Sequence, residues 1–269
     1  MKRESPILVV VWKLGFDYWD FHHAFIMRIV SLRDLHAIRL ALGILRKGGV
    51  VAYPTETAYG MGGDWTKPSV HRRVRQIKGR KKTKALSVIV SSVAMARKFV
   101  HFPRISAVLA KRYWPGPLSL VLPLKHTPSR KAGHPSQEGI PLPRRGTGAG
   151  TLSVRVSPHP IANALVKKLG RPLIATSANV SGAVTLYDAR AIARAFAKRK
   201  YKPDLIIDAG RLKRVKPSTV VVMDGDKVKV VREGPIRVNF KAQSSNVKGM
   251  LKTQVQNALA FVIGILSFL

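Results

Sequence analysis

The sequence predicts an α/β fold built on a mixed β-sheet flanked by helices. Two observations carry this. Apolar runs of strand length alternate with segments of helical periodicity through most of the chain, the pattern of strands joined by crossover helices. Towards the end, residues 219–223 and 228–231 flank Asp224-Gly225, a dipeptide suited to a tight hairpin, which adds an antiparallel pair. With 269 residues, 46% of them hydrophobic and 23% charged, the chain can bury a sizeable core.

Ser31 is placed to cap a helix in which Leu32, Leu35, Ile38, Leu42 and Leu45 share one face, and Gly48-Gly49 stops it. Residues 50–53 read as a buried strand, ended by Pro54, which opens a polar turn. Gly60, Gly62 and Gly63 let the backbone pass close to a ligand or to another strand. A second helix starts near Ser69, turns Val70, Val74 and Ile77 inward, and ends at Lys78-Gly79-Arg80. Residues 86–90 form a strand, 91–100 and 105–113 helices, and 118–122 a strand after Trp114-Pro115-Gly116-Pro117. The stretch 126–150 is rich in Pro, Gly, Arg and Lys and reads as a long mobile loop. Then come strand 151–156, helix 161–169, strand 172–176, helix 188–198 and strand 205–207.

This divides the chain into an N-terminal appendage (1–26), a main domain (27–240) and a C-terminal tail with an apolar end (241–269). The apolar run at 7–12 is too short for the core of a signal peptide. Residues 258–269 are too few to span a bilayer, which takes ~20, so they suit a docking helix or an interfacial anchor and no membrane span is expected. The absence of cysteine rules out disulfides, thiolate nucleophiles and Cys-based zinc sites, and fits a cytoplasmic setting. A net charge of +35, from 48 basic against 13 acidic side chains, favours polyanionic partners such as RNA, nucleotides or an anionic membrane surface.

Familiar nucleotide and metal signatures are missing. There is no G-x-x-x-x-G-K-[ST] and no H-E-x-x-H. Gly146-x-Gly148-x-Gly150 precedes a strand instead of following one, so it is not a dinucleotide fingerprint. No protein ligands for a metal are marked. Between His71 and Lys84, eight of fourteen residues are cationic. Arg72, Arg73, Lys81 and Lys82 read as a solvated face. Lys78 and Arg80 differ, since they follow Ile77 at a helix end with only Gly79 between them. Fixed cations of this kind meet the charge on phosphate oxygens. Ser177 and Asn179 follow the apolar run Leu173-Ile174-Ala175, at a strand end where open α/β sheets bind ligands. A simple turn or helix cap is the other reading of that pair.

The combination resembles the YrdC/Sua5 family, the threonylcarbamoyl-AMP synthases of tRNA modification. The matching segments are GGVVAYPTETAYGMGG, IKGR, WPGPLSLVLP, TLSVRVSPHP, ATSANVSG, PSTVVV and VREGP, in the family's order, from about Leu32 to Pro235. The resemblance implies a YrdC-like twisted mixed sheet flanked by helices, with a basic concave active-site face. It implies the short, single-domain type and the condensation of L-threonine, bicarbonate and ATP to threonylcarbamoyl-AMP and pyrophosphate. The product serves a threonylcarbamoyl-transferase machinery that modifies adenosine 37 of tRNA. By motif position, Lys78, Arg80, Ser177 and Asn179 are the catalytic tetrad; Thr57, Arg155, Ala175 and Ser218 bind L-threonine. Arg80, Lys84, Thr151, Ser177, Thr185 and Arg232 bind ATP, which brings Mg2+ with it. The chain departs from the family where Lys81 replaces a usual Pro, where Ala85 replaces the Pro of a usual Pro-Leu pair, at Ile89, and in the length of 126–150.

Two other readings stand beside this one. A non-catalytic RNA-binding protein on the same fold would suit the charge. The carbamoyl-transfer domain of hydrogenase-maturation proteins shares fold and tetrad, but those proteins carry Cys-rich zinc fingers and this chain has no cysteine.

Overall fold

The computed structural model describes residues 27–79, 86–125, 150–224 and 227–238. The segments 1–26, 126–149 and 241–269, and the turn residue Gly225, lie outside the described residues.

In chain order the first elements are β1 (Arg28–Ser31), α1 (Ala37–Arg46), β2 (Val51–Pro54), β3 (Tyr59–Gly62), α2 (Pro68–Lys78) and β4 (Ser87–Ile89). They continue with α3 (Val93–Phe99), α4 (Arg104–Tyr113), β5 (Leu118–Pro123), β6 (Thr151–Arg155) and α5 (Pro160–Leu169). The last are β7 (Leu173–Ile174), β8 (Thr176–Ser177), α6 (Ala189–Ala197), β9 (Leu205–Asp208), β10 (Thr219–Asp224) and β11 (Lys227–Arg232).

The α/β class and the alternation of elements are as expected, but the strands form two mixed sheets. One runs β1-β9-β2-β3-β8 and the other β11-β10-β5-β6-β4-β7. The expected strand at 172–176 supplies both. Leu173 pairs with Ile89 in the second sheet, and Thr176 pairs with Met61 in the first. Ala175 lies between, its N–H donating to the Ser87 carbonyl at 2.8 Å. The chain changes sheets there, which leaves Ala175 and Ser177 at the seam.

The first helix is shorter than its periodicity suggests. Residues 28–31 pair in parallel with β9, from Arg28 opposite Leu205 to Ser31 opposite Asp208. Strand pairing satisfies that backbone, so the helix starts at Ala37, and Leu35 stands 94% exposed. Ser31 caps nothing helical; its Oγ accepts from the Arg33 N–H at 3.2 Å.

Two packed clusters hold the sheets. The larger gathers Tyr59, Met61, Ile77, Leu118, Leu120, Ile206 and Phe196. The other packs Leu45, Tyr53, Leu165, Val166 and Ile207 beneath α1 and α5. The glycines after Pro54 serve both options open to them. A Cβ on Gly62 would stand 1.8 Å from the Ile174 carbonyl oxygen, so this approach is to protein backbone. Gly60 instead lines the cavity described below. Pro68 opens α2, and Gly79, left-handed at φ 60°, ends it. No helix among the described residues is long and apolar enough to cross a membrane.

Candidate active site

A cavity of about 370 Å³ opens at the seam, lined from both sheets. Its volume is in the range of small-molecule sites. At one end lies Lys78, the last residue of α2, only 3% exposed. A buried ammonium needs acceptors around it. Its Nζ donates to the Ser177 carbonyl at 2.7 Å, to Ser177 Oγ at 3.3 Å and to Asn179 Oδ1 at 2.8 Å. Residues a hundred positions apart in sequence thus meet in one knot. Ser177 Oγ donates to Asn179 Oδ1 at 2.7 Å. The Asn179 amide nitrogen donates to the carbonyls of Ala183 and Val184, the latter at 3.1 Å. Asn179 therefore fixes the lysine on one side and the loop leading to Thr185 on the other.

Arg155 closes β6 and lines the same cavity, buried and paired with Glu56. Ser157 Oγ donates to the second oxygen of that carboxylate. Thr55 and Thr57, on either side of Glu56, line the cavity. Thr55 Oγ1 donates to the Ala58 carbonyl at 2.6 Å and locks the turn. Ser218 is held from two sides. Arg232 donates to its carbonyl at 2.9 Å and to its Oγ at 3.0 Å, and Ser119 Oγ lies 3.0 Å away. Burial, and then the charge of Arg155, hold the Arg232 guanidinium below its usual pKa.

A strap made by residues 209–218 contributes Val215, Pro217 and Ser218 to the cavity lining. Tyr59 anchors its start, donating to the Gly210 carbonyl at 2.8 Å and accepting from the Ala209 N–H at 2.9 Å. Burial pushes the Tyr59 phenol up to about 12, so it stays protonated and keeps its donor. Further along, the Leu212 N–H donates to the Tyr187 carbonyl at 2.8 Å, and the Arg214 guanidinium lies 5.9 Å from the Tyr187 ring centre. Tyr187, Val215 and Pro217 line this wall.

Of the residues singled out from the sequence, Thr57, Lys78, Arg155, Ala175, Ser177, Asn179, Thr185, Ser218 and Arg232 line this one cavity. Thr151 does not; it begins β6, opposite Pro123. Arg80 and Lys84 lie outside the described residues. The sequence reading overlooked Glu56, Ser119 and Tyr187. Glu56 was detectable as a lone acid in a turn of a chain with 13 acids against 48 bases. Ser119 was detectable as the polar position alternating with Leu118 and Leu120. Tyr187 sits in an irregular segment and carries no local signal.

Lys78, Arg155 and Arg232 make the lining cationic, and among the described residues no carboxylate lines it. Among the described residues no group of three or more His, Asp or Glu could hold a metal ion. The arrangement suits a polyanion at the lysine end and a carboxylate at the Arg155 end.

Comparison with known proteins identifies the family. A family model, that of Sua5/YciO/YrdC, described as telomere recombination, matches residues 43–234. The chain is 35% identical over 185 residues to a threonylcarbamoyl-AMP synthase of Pyrococcus abyssi, covering 68% of this chain and 50% of that protein. It is 38% identical over 187 residues to a threonylcarbamoyl-AMP synthase of Chromobacterium violaceum, covering 68% of this chain and 87% of that protein. The match thus spans about half of the Pyrococcus relative and most of the Chromobacterium one. The crystal structure of P. abyssi Sua5 complexed with L-threonine superposes with a TM-score of 0.65 at 32% identity, over 77% of this chain and 56% of that one. With the family model covering well over half of its residues, the chain belongs to the Sua5/YciO/YrdC family.

Proposed function

We propose that this protein is a nucleotidyltransferase, an L-threonylcarbamoyladenylate synthase. It condenses L-threonine, bicarbonate and ATP to threonylcarbamoyl-AMP and pyrophosphate. The observation that carries the reading is the convergence of Lys78, Ser177 and Asn179 with Arg155, Ser218 and Arg232 on one cavity. One part of it supplies a fixed cation for phosphates, another a guanidinium for a carboxylate.

Arg155 takes the threonine carboxylate, and Thr57, Ser218 and the backbone at Ala175 surround the rest of the amino acid. The neutral amine of threonine forms a bond to the carbon of bicarbonate, the bond from that carbon to its hydroxyl breaks, and water leaves with the proton given up by the amine, which leaves an N-carboxylate. One oxygen of that group forms a bond to the α-phosphorus of ATP. The bond from that phosphorus to the bridging oxygen breaks, and pyrophosphate leaves with the electron pair. Lys78, Arg80 and Arg232 meet the charge on the phosphate oxygens, with Lys84 and Thr185 completing the nucleotide contacts. Positioning two anions together and neutralising the leaving group do most of the work in such a reaction. Magnesium would accompany the nucleotide and would help to neutralise its phosphate charge, and no carboxylate among the described lining residues would hold it. The adenylate then passes to a threonylcarbamoyl-transferase machinery acting on tRNA.

The test is pyrophosphate release from ATP measured with threonine and bicarbonate, each present or omitted. Release that requires both is expected. ATP turnover indifferent to threonine would overturn the reading. Tight tRNA binding without turnover would instead favour an RNA-binding protein on this fold, the role the net charge of +35 suits.

A further inference from the structure

We infer that Glu56 is a positioning residue for the amino-acid end of the cavity: its carboxylate sets the direction of the Arg155 guanidinium so that it meets a substrate carboxylate squarely. This rests on the proposed synthase reading and names a residue that reading leaves without a role.

Glu56 sits between two residues that line the cavity, yet it does not line the cavity itself. Its side chain is 15% exposed. One carboxylate oxygen takes Arg155 and the other takes Ser157 Oγ. Ser157 is fully buried, and its Oγ also accepts from the His159 N–H at 3.2 Å, at the entry to α5. The turn carrying Glu56 is itself tied by Thr55 and Ala58. The carboxylate is thus anchored at both oxygens and through its backbone, and Arg155 is fixed from behind.

Arg155 needs such an anchor. An arginine carries a large rotamer entropy, and bidentate carboxylate recognition demands one orientation of a planar fork. Arg232 is a like charge close enough for Arg155 to help lower its pKa, so the two guanidiniums repel. A carboxylate behind Arg155 supplies the opposing pull. A carboxylate in the cavity would compete with the substrate, and none among the described residues lines it.

The experiment compares the full-length wild type with Glu56→Gln, Arg155→Lys and the double variant. It reads pyrophosphate release with threonine and ATP varied in turn, and L-threonine binding by calorimetry. Glu56→Gln is expected to raise the KM for threonine about tenfold while the KM for ATP stays within about twofold. In the Arg155→Lys background the same change is expected to add little, because the two residues act as one unit. A brace that merely holds the fold would move both KM values together, and that result overturns the inference. So does an unchanged threonine KM, or tighter threonine binding, which would make Glu56 a competitor for the guanidinium. Should Glu56→Gln fail to fold, Ser157→Ala removes one leg of the same brace. It is expected to raise the threonine KM about threefold with the ATP KM unmoved, and an unmoved threonine KM overturns the inference. Wild type that releases no pyrophosphate sinks the synthase reading, and this inference with it. Active wild type with an indifferent Glu56→Gln sinks the inference alone.

Discussion

The two ends of the cavity hold their cations in opposite ways. Lys78 donates to three neutral acceptors, a carbonyl, a hydroxyl and an amide oxygen. Arg155 is paired with a full negative charge on Glu56. Neutral acceptors satisfy the donors of an ammonium without cancelling its charge, so these three contacts leave that charge able to act on an anion. An ion pair cancels much of the charge but fixes direction. The lysine end is built for electrostatics and the arginine end for orientation. That division suits a triphosphate at one and a small amino acid at the other.

The largest expected effect breaks the lysine end. Lys78→Ala should lower the rate of adenylate formation by about 10³-fold, the scale on which losing a fixed transition-state donor is felt. The melting temperature should move little, because Ser177 and Asn179 can turn to water in the open cavity. Lys78→Arg should fail to restore the rate, since a planar fork does not fit a knot built around a point charge. Wild-type-like pyrophosphate release by Lys78→Ala would end the distinction between the two ends. Next in size is Arg155→Ala. It strands the Glu56 carboxylate and should cost about 3–5 kcal/mol of stability, as breaking a buried pair does, while raising the threonine KM well above the ATP KM. Chemical denaturation and the two KM values read both halves of that outcome. Loss of ATP affinity without loss of threonine affinity would reverse the assignment of ends.

A smaller effect should come from Asn179→Asp. The carboxylate still accepts from Lys78 but cannot donate to Ala183 and Val184. It also places a charge beside the ammonium, making the lysine end resemble the arginine end. A drop in rate of about tenfold to a hundredfold is expected, from the partial cancellation of a charge that must face phosphate. An unchanged rate would show that neutrality around Lys78 has no consequence.

How much of this was legible differs between the ends too. The lysine end was readable because its parts carry local signals: a helix closing on Lys78-Gly79, and a hydroxyl and an amide just past an apolar run. The sheet change at Ala175, which delivers Ser177 to that end, was not readable. The apolar run continues unbroken through the point where the chain leaves one sheet for the other, and burial in either sheet selects the same residues. β3 was hidden for a related reason. Tyr59-Gly60-Met61-Gly62 has weak strand propensity, and its glycines answer to close packing, as the 1.8 Å approach at Gly62 shows. The start of α1 was misplaced because Leu32 and Leu35 continue a helical period into residues whose backbone β9 claims. At the arginine end, Arg155 came from a motif, whereas Glu56 has meaning only through a partner 99 positions away.

The smallest expected effect sharpens the comparison through pH. His159 stands at the start of α5, next to the brace behind Arg155, and its Nδ1 accepts from the Ile161 N–H at 3.3 Å. Burial lowers its pKa from the ordinary 6.5, with Glu56 pulling the other way. A lowered folded-state pKa means that the unfolded chain binds the proton first. The stabilisation is therefore complete above about 6.5 and is lost as pH falls through the folded-state value. Protonation also removes the acceptor that caps the helix. His71, lowered mainly by burial, adds to the same trend, but it lies away from the site, with its Nε2 donating to the Trp65 carbonyl. Thermal melts should therefore show stability falling on acidification, and His159→Asn, which keeps a capping oxygen without a titrating group, should flatten part of that fall. If threonine binding at the arginine end weakens in the same pH window in the wild type but not in His159→Asn, the cap, Ser157 and Glu56 act as one support. If only the melting temperature responds, the helix start and the guanidinium are mechanically separate, and the oriented end depends on Glu56 and Ser157 alone.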